Sequence, residues 1–151
     1  MGALKAEKAA ARGLGGAAVQ VAALPYRLGD ELEVLLVTSR ETGRWVIPKG
    51  WPMKGKAPHE AAAREAMEEA GVRGRIEPLS IGAYQYAKRL SNGAALDCIV
   101  HVYPLAVERQ LTRWPEKGER IGHWFSLREA ARAVHEPTLA ALIESFAPNG
   151  D

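Results

Sequence analysis

Apolar residues fall into short runs along this chain, and those runs set its expected elements. Ala17 to Tyr26 reads as a strand, ended by Pro25 or by the Gly29-Asp30 turn. Glu33 to Ser39 predicts a second strand, apolar enough for burial on both faces, and the pair would form a hairpin. Trp45-Val46-Ile47 is a short third strand halted by Pro48, and Pro48 to Gly55 reads as a loop. Pro58 suits the first turn of a helix running to about Ala70, with Glu60 near its positive end and Gly71 as its stop. Ile76 to Lys88 and Leu96 to Val107 read as two strands around the Ser91-Asn92-Gly93 turn, a second hairpin. Leu111 to Arg120 is a polar loop, and Ile121 to Phe125 a short strand. Ser126, with Glu129 three residues on, caps a helix to about Val134, and Pro137 opens a last helix through Phe146. Residues 1–16 are rich in Ala, Lys and Gly and read as a poorly ordered arm. Residues 17–147 then make one mixed domain with helices on a sheet, without repeat or linker.

Composition adds limits rather than detail. The chain has 151 residues, 47% hydrophobic and 25% charged, which suits one domain with a real core. No apolar run is long enough to span a bilayer, and the N-terminus lacks the apolar core and cleavage pattern of a signal peptide. The single cysteine, Cys98, lies in an apolar run and reads as a buried, inert thiol. A cytoplasmic protein without a membrane partner is expected. The net charge of +2 argues against a nucleic-acid partner; a homodimer is compatible with the sequence, which does not itself give the oligomeric state.

The chemistry lies where like charges are crowded. Glu65, Glu68 and Glu69 sit three and four residues apart on the expected helix, so they share one face. Such neighbours repel by roughly 0.2–0.5 kcal/mol per pair, a cost that a bound hard cation removes. A loop containing Gly50, Pro52 and Gly55 leads directly into that helix and carries Lys49, Lys54 and Lys56. Carboxylates and loop carbonyls are the oxygen donors that Mg2+ or Mn2+ takes, and such ions clamp phosphate oxygens. Lysine beside them adds positive charge for a phosphate. Lys49, Arg40 and Lys54 are the candidate substrate-binding residues. The grouping suggests hydrolysis at a phosphorus–oxygen bond. Arg113, Lys117 and Arg120 form a second basic group that reads equally as a solvated surface. His59, His101, His123 and His135 show no metal-ligand spacing, and Trp114 and Trp124 read as packing anchors.

The 23 residues from Gly50 to Val72 resemble the Nudix box. That pattern is Gly, five residues, Glu, seven residues, Arg-Glu, an aliphatic, any residue, Glu-Glu, any residue, Gly, an aliphatic. Gly50, Arg64, Glu65, Glu68, Glu69, Gly71 and Val72 fall at the required places, with Ala66 a weak aliphatic. The resemblance implies an α/β fold, an α/β/α sandwich with a mixed central sheet. It implies an Mg2+- or Mn2+-dependent hydrolase of a diphosphate linked to another moiety. Carried over by position, Glu65, Glu68 and Glu69 would hold the metal with the Gly50 carbonyl, and Arg64 and Gly71 would be structural. The family often adds a carboxylate from a later loop; Glu116 and Glu119 are the candidates here, with Glu119 preferred as a catalytic residue. The general base is then Glu65 or one of those two.

One position departs from the pattern. Lys56 stands where the box has its first Glu, so the contact that would brace Arg64 is lost, and Glu60, four residues before Arg64, is expected to take over. The run Trp45 to Gly50 is similar to the entry of the box in the diphosphoinositol polyphosphate and diadenosine polyphosphate branch. A small polyphosphate, inositol-based or a (di)nucleoside, is therefore the expected substrate. RNA 5′-end diphosphate removal and a non-catalytic nucleotide sensor are the alternatives.

Overall fold

The computed structural model describes residues 17–148, so the expected arm at 1–16 lies outside the described residues. The elements in chain order are β1 (Ala18–Leu28), β2 (Leu32–Thr38), β3 (Trp45–Val46), β4 (Lys49–Gly50), α1 (Pro58–Ala70), β5 (Val72–Ile76), β6 (Gly82–Arg89), β7 (Ala95–Gln110), β8 (Gly122–Ser126), α2 (Leu127–Ala133) and α3 (Pro137–Glu144). The strands form one mixed eight-stranded sheet. At its centre β1 runs parallel to β7, with Ala18 opposite Cys98 and Tyr26 opposite Ala106. The other edge of β1 takes β4 and then β2, both antiparallel, and β8 closes the far edge of β2. The outer edge of β7 takes β6 along its first half and β5 along its second.

Alternation along β1 divides the core in two. Val21 and Ala23 pack with Ala61, Ala62 and Ala66 of α1. Ala22 and Leu24 face the other way, onto Leu139, Ile143 and Phe146 on and just after α3. The result is the α/β/α sandwich implied by the box. Gly71 ends α1 in the left-handed region at φ 68°, its N–H donating to the Met67 carbonyl at 3.1 Å. The Ser126–Glu129 capping box at α2 is present in both directions.

Two expectations change, and one alternative is decided in favour of the Gly29-Asp30 turn as the end of β1. Lys49 and Gly50, read as loop, are a two-residue strand paired to Ala22 and Val21, and the hydrogen bond from Ala23 N–H to the Pro48 carbonyl at 3.0 Å extends that pairing. β1 does not stop at Pro25 but runs on to Leu28. Its amide edge at Ala23 faces β4, so the missing N–H of Pro25 falls on that same edge, where the partner switches from β4 to β2 and no donor is needed. The strand expected over Ile76 to Lys88 is two strands lying end to end against β7. Residues 77–81, with Pro78 unable to donate, loop out between them while Glu77 N–H and Ile81 N–H still reach the carbonyls of Pro104 and Val102.

Candidate active site

Small side chains let α1 lie close on the sheet, and this carries its acidic face inward. Ala61, Ala62 and Ala66 are fully buried, and Glu69, on the same side, is only 6% exposed. Glu65 lies one turn before Glu69 and the two carboxyl groups hydrogen-bond to each other. The β4 pairing holds Gly50 against Glu65: a Cβ at Gly50 would stand 2.4 Å from the Glu65 carboxyl, so a larger residue there would push that carboxyl from its place. Burial, followed by the neighbouring carboxylates Glu69, Glu68 and Glu116, pushes Glu65 up to about 9. Burial also raises Glu69, against the opposing pull of Arg120 and Lys49.

The loop at 111–120 closes over this pair. Glu116 N–H donates to the Glu68 carbonyl at 3.0 Å, and Leu111 N–H to that of Gly71 at 2.7 Å, so the loop is stitched to the end of α1. Trp114 lies against Gly71, where a Cβ would meet its indole at 2.4 Å. Arg120, with its side chain 11% exposed, is the hub. Its Nε donates to Glu116 Oε1 at 2.8 Å, Nη1 to the Thr38 carbonyl at 3.1 Å, and Nη2 lies 3.8 Å from Glu69 Oε1. Arg40, at the β2–β3 turn, donates to Glu119 Oε1 at 2.8 Å on the exposed rim.

Not every expected residue converges. Glu65, Glu69 and Gly50 come together, with Arg120 and Glu116 beside them. Glu68 is turned aside: Arg64 Nε donates to its Oε2 at 2.7 Å. The expected Glu60–Arg64 pairing is absent, because Glu60 instead accepts the Ala57 N–H at 2.8 Å. Ala57 has no side-chain acceptor, so this contact covers the start of α1 where the backbone would otherwise be open. Lys54 lies exposed on the loop before α1. Lys49 and Gly50 are neighbours on a strand and face opposite ways. Lys49 Nζ therefore stands over the Tyr86 ring, 5.0 Å from its centre, on the face opposite α1. Burial lowers its pKa, while Glu69 opposes that shift, so the ammonium still feels that carboxylate.

The donor set suits a hard cation in kind. Two enclosed carboxyls that hydrogen-bond to each other cannot both ionise unless a positive charge replaces the shared proton. Its present arrangement stops short of a full ligand set. Among the described residues no three carboxylate, imidazole or thiolate side chains stand around one point in ligand geometry, and Glu68 is held by Arg64. Sequence reasoning left Arg120 in a basic group open to either a polyanion or a solvated surface, and missed its role as a hub. The available signal was the Glu116–Arg120 spacing of four, a helix-like pair lying outside any helix. It also missed Gln20, 2% exposed, which accepts from Tyr86 Oη at 2.6 Å beside Lys49.

Comparison with known proteins agrees with this fold. The NUDIX domain family matches residues 17–146. Nudix hydrolase 21, chloroplastic, of Arabidopsis thaliana is 35% identical over 135 residues, which are 83% of this chain and 64% of that protein. Diphosphoinositol polyphosphate phosphohydrolase 2 of Rattus norvegicus is 34% identical over 131 residues, 83% of this chain and 68% of that protein. An Ap4A hydrolase of C. elegans, solved as a binary complex, superposes with a TM-score of 0.61 at 20% identity over 83% of this chain and 92% of its own, a likeness of fold. The chain spans about three-fifths of the length of several curated relatives that it matches. No helix among the described residues is long and apolar enough to cross a membrane.

Proposed function

Because the chain belongs to the Nudix family, we propose that it hydrolyses a phosphoanhydride bond in a diphosphate linked to another moiety. The observation that carries this reading is the enclosed Glu65–Glu69 pair behind Gly50, with Arg120 and Lys49 in its field. Glu65, Glu68 and Glu69 would hold Mg2+ or Mn2+, with the Gly50 carbonyl as a further donor. When bound, such an ion neutralises phosphate oxygens and lowers the pKa of water.

The chain's own residues do the rest. Arg120 keeps Glu116 and Glu69 in place and brings positive charge to the rim of the pocket. Glu116 is committed to Arg120, whereas Glu119 is held only by Arg40 on the exposed rim. Glu119 is thus the preferred proton acceptor and Glu65 its competitor. Arg40 and Lys54 would meet the remaining phosphates, while Lys49, on the opposite face of the sheet, would add its charge from behind. We favour a diphosphoinositol polyphosphate or a dinucleoside polyphosphate as substrate, on the likeness to the rat phosphohydrolase and the spread of cations around the pair. The same reading has the protein in the cytoplasm, with no membrane or nucleic-acid partner; sizing chromatography decides the homodimer.

A panel of diphosphates, assayed for phosphate release with Mg2+ or Mn2+, tests the proposal. Turnover of a phosphoanhydride that falls by about 10³-fold in Glu69→Gln is expected, in the range of a lost transition-state interaction. Tight nucleotide binding without turnover on any substrate would instead support a sensor, the reading that the turned-aside Glu68 favours.

A further inference from the structure

A second site lies on the outer flank of α1. An open groove of about 280 Å³ between α1 and β5 is lined by Lys56, Arg64 and Arg73, with Glu60 the one carboxylate among its lining residues. That carboxylate is already engaged by the Ala57 N–H. Arg64 hydrogen-bonds through Nε alone among the described residues, which leaves the outer nitrogens of its fork for another acceptor. Arg73 stands directly opposite Arg109 in the β5–β7 ladder, a like-charge pair that disfavours the sheet when nothing neutralises it. Three cations thus line one groove with a single carboxylate, Glu60, which among the described residues forms an ion pair with none of them. The groove lies outside the acidic pocket, and its link to that pocket is Arg64 itself.

We propose that this groove binds a phosphoryl oxyanion, and that the anion draws Arg64 off Glu68 and frees Glu68 to join Glu65 and Glu69 around the divalent cation. The coupling rests on the reading of α1 as the metal-binding helix. Lys56 makes it necessary in this chain: a carboxylate at that position would engage Arg64 permanently, whereas lysine leaves Arg64 to whichever acceptor is nearest, and in the structure that acceptor is Glu68. The Arg64–Glu68 pair is half-exposed, with side chains 50% and 27% accessible, and exposed pairs of this kind are weak. A phosphoryl group contacting three cations outbids it. Anion and cation then strengthen each other's binding by the same factor, because linkage is reciprocal. The anion is either the inorganic phosphate released by hydrolysis or a distal phosphate of a polyphosphorylated substrate.

The metal-free protein titrated with inorganic phosphate, by calorimetry and by the Arg64 Nε–H resonance, tests the groove. Saturable binding that shifts this resonance, weakens with added salt, and drops about fivefold or more in Arg73→Gln and Lys56→Gln is expected. No binding, or binding indifferent to both substitutions, overturns the site. Mn2+ affinity, read by electron paramagnetic resonance with and without phosphate, tests the coupling. Wild type should gain about fivefold or more with phosphate, while Lys56→Glu should bind Mn2+ tightly without it and gain nothing more. Equal Mn2+ affinity in all of these states overturns the coupling. Failure of Mn2+ to bind under any condition overturns the metal reading and the coupling together, leaving the phosphate titration to judge the groove alone. Added phosphate that speeds hydrolysis of both a two-phosphate and a four-phosphate substrate assigns the free anion, in support; acceleration of the two-phosphate substrate only assigns the substrate's own distal phosphate, also in support.

Discussion

The two faces of the sheet are packed by opposite means. On the α1 face the helix contributes alanines, Ala61, Ala62 and Ala66, against Val21, Leu35, Tyr103 and Leu105 of the sheet, and one glutamate is nearly as buried as those alanines. On the other face Leu139, Ile143, Phe146 and Tyr84 fill the space. Small residues bring the helix backbone close and hold its register tightly, which suits a helix whose carboxylates must meet at one point. Large residues bury more area, about 25 cal/mol for each Å², and supply cohesion without needing such register. On the proposed function the α1 face would carry the chemistry, while the other face holds the larger side chains.

The comparison can be broken most sharply on the adhesive face. Leu139→Ala should cost about 2–5 kcal/mol in urea unfolding through the cavity it leaves, with turnover per folded molecule unchanged. A comparable loss of turnover would show that both faces serve the site. Next, Arg120→Ala should cost about 2–3 kcal/mol, between exposed and fully buried pairs, because it strands Glu69 without its counter-charge. Here turnover should fall as well, and a variant of full activity would remove Arg120 from the site. Ala62→Leu should cost about 1–3 kcal/mol by overpacking. Its mark is a disproportionate loss of metal affinity, since the helix must lift from the sheet.

The most gradual effect is the dependence on pH. Glu65 is raised from its ordinary 4.5 to about 9, so the folded state keeps a proton that the unfolded chain has lost. For this group stability is therefore greatest below about 4.5 and declines as pH rises toward about 9, beyond which it no longer changes. Thermal melts of the chelated protein should show that decline. Mg2+ should raise the melting temperature more at pH 8 than at pH 5, since only at the higher pH can a cation take the place of a departing proton. Equal Mg2+ shifts at both values would detach the metal from the pair.

Local signals in the chain anticipated most of the fold. Pro58 and Gly71 bracket α1, Ser126 with Glu129 starts α2, and Asn92-Gly93 turns the β6–β7 hairpin, each by chemistry confined to a few neighbours. β4 was hidden because two residues carry no period, and its pairing depends on β1, many residues away. The break between β5 and β6 was hidden because both lie along one long partner, β7. The same divide holds at the site. The spacing of Glu65, Glu68 and Glu69 was legible, being a property of one helix. The hub at Arg120 was not, because it joins Thr38, Glu69 and Glu116 from three separate segments. Nor was the preference of Arg64 for Glu68 over Glu60, since spacing offered both, and an uncapped Ala57 amide decided between them.

The parallel pairing of β1 with β7 also governs when the acidic pocket can exist. On a growing chain, α1 is complete long before Cys98 to Ala106 is available to lie beside Ala18 to Tyr26. The central ladder closes only after most of the chain has been made, and such distant pairing is slow to form. Until then the acidic helix has half a sheet to rest on, and its glutamates remain in water, where their charges are harmless. Arg120 is made later still. Synthesis thus delivers the counter-charge at about the moment when enclosure of the carboxylates begins to need it.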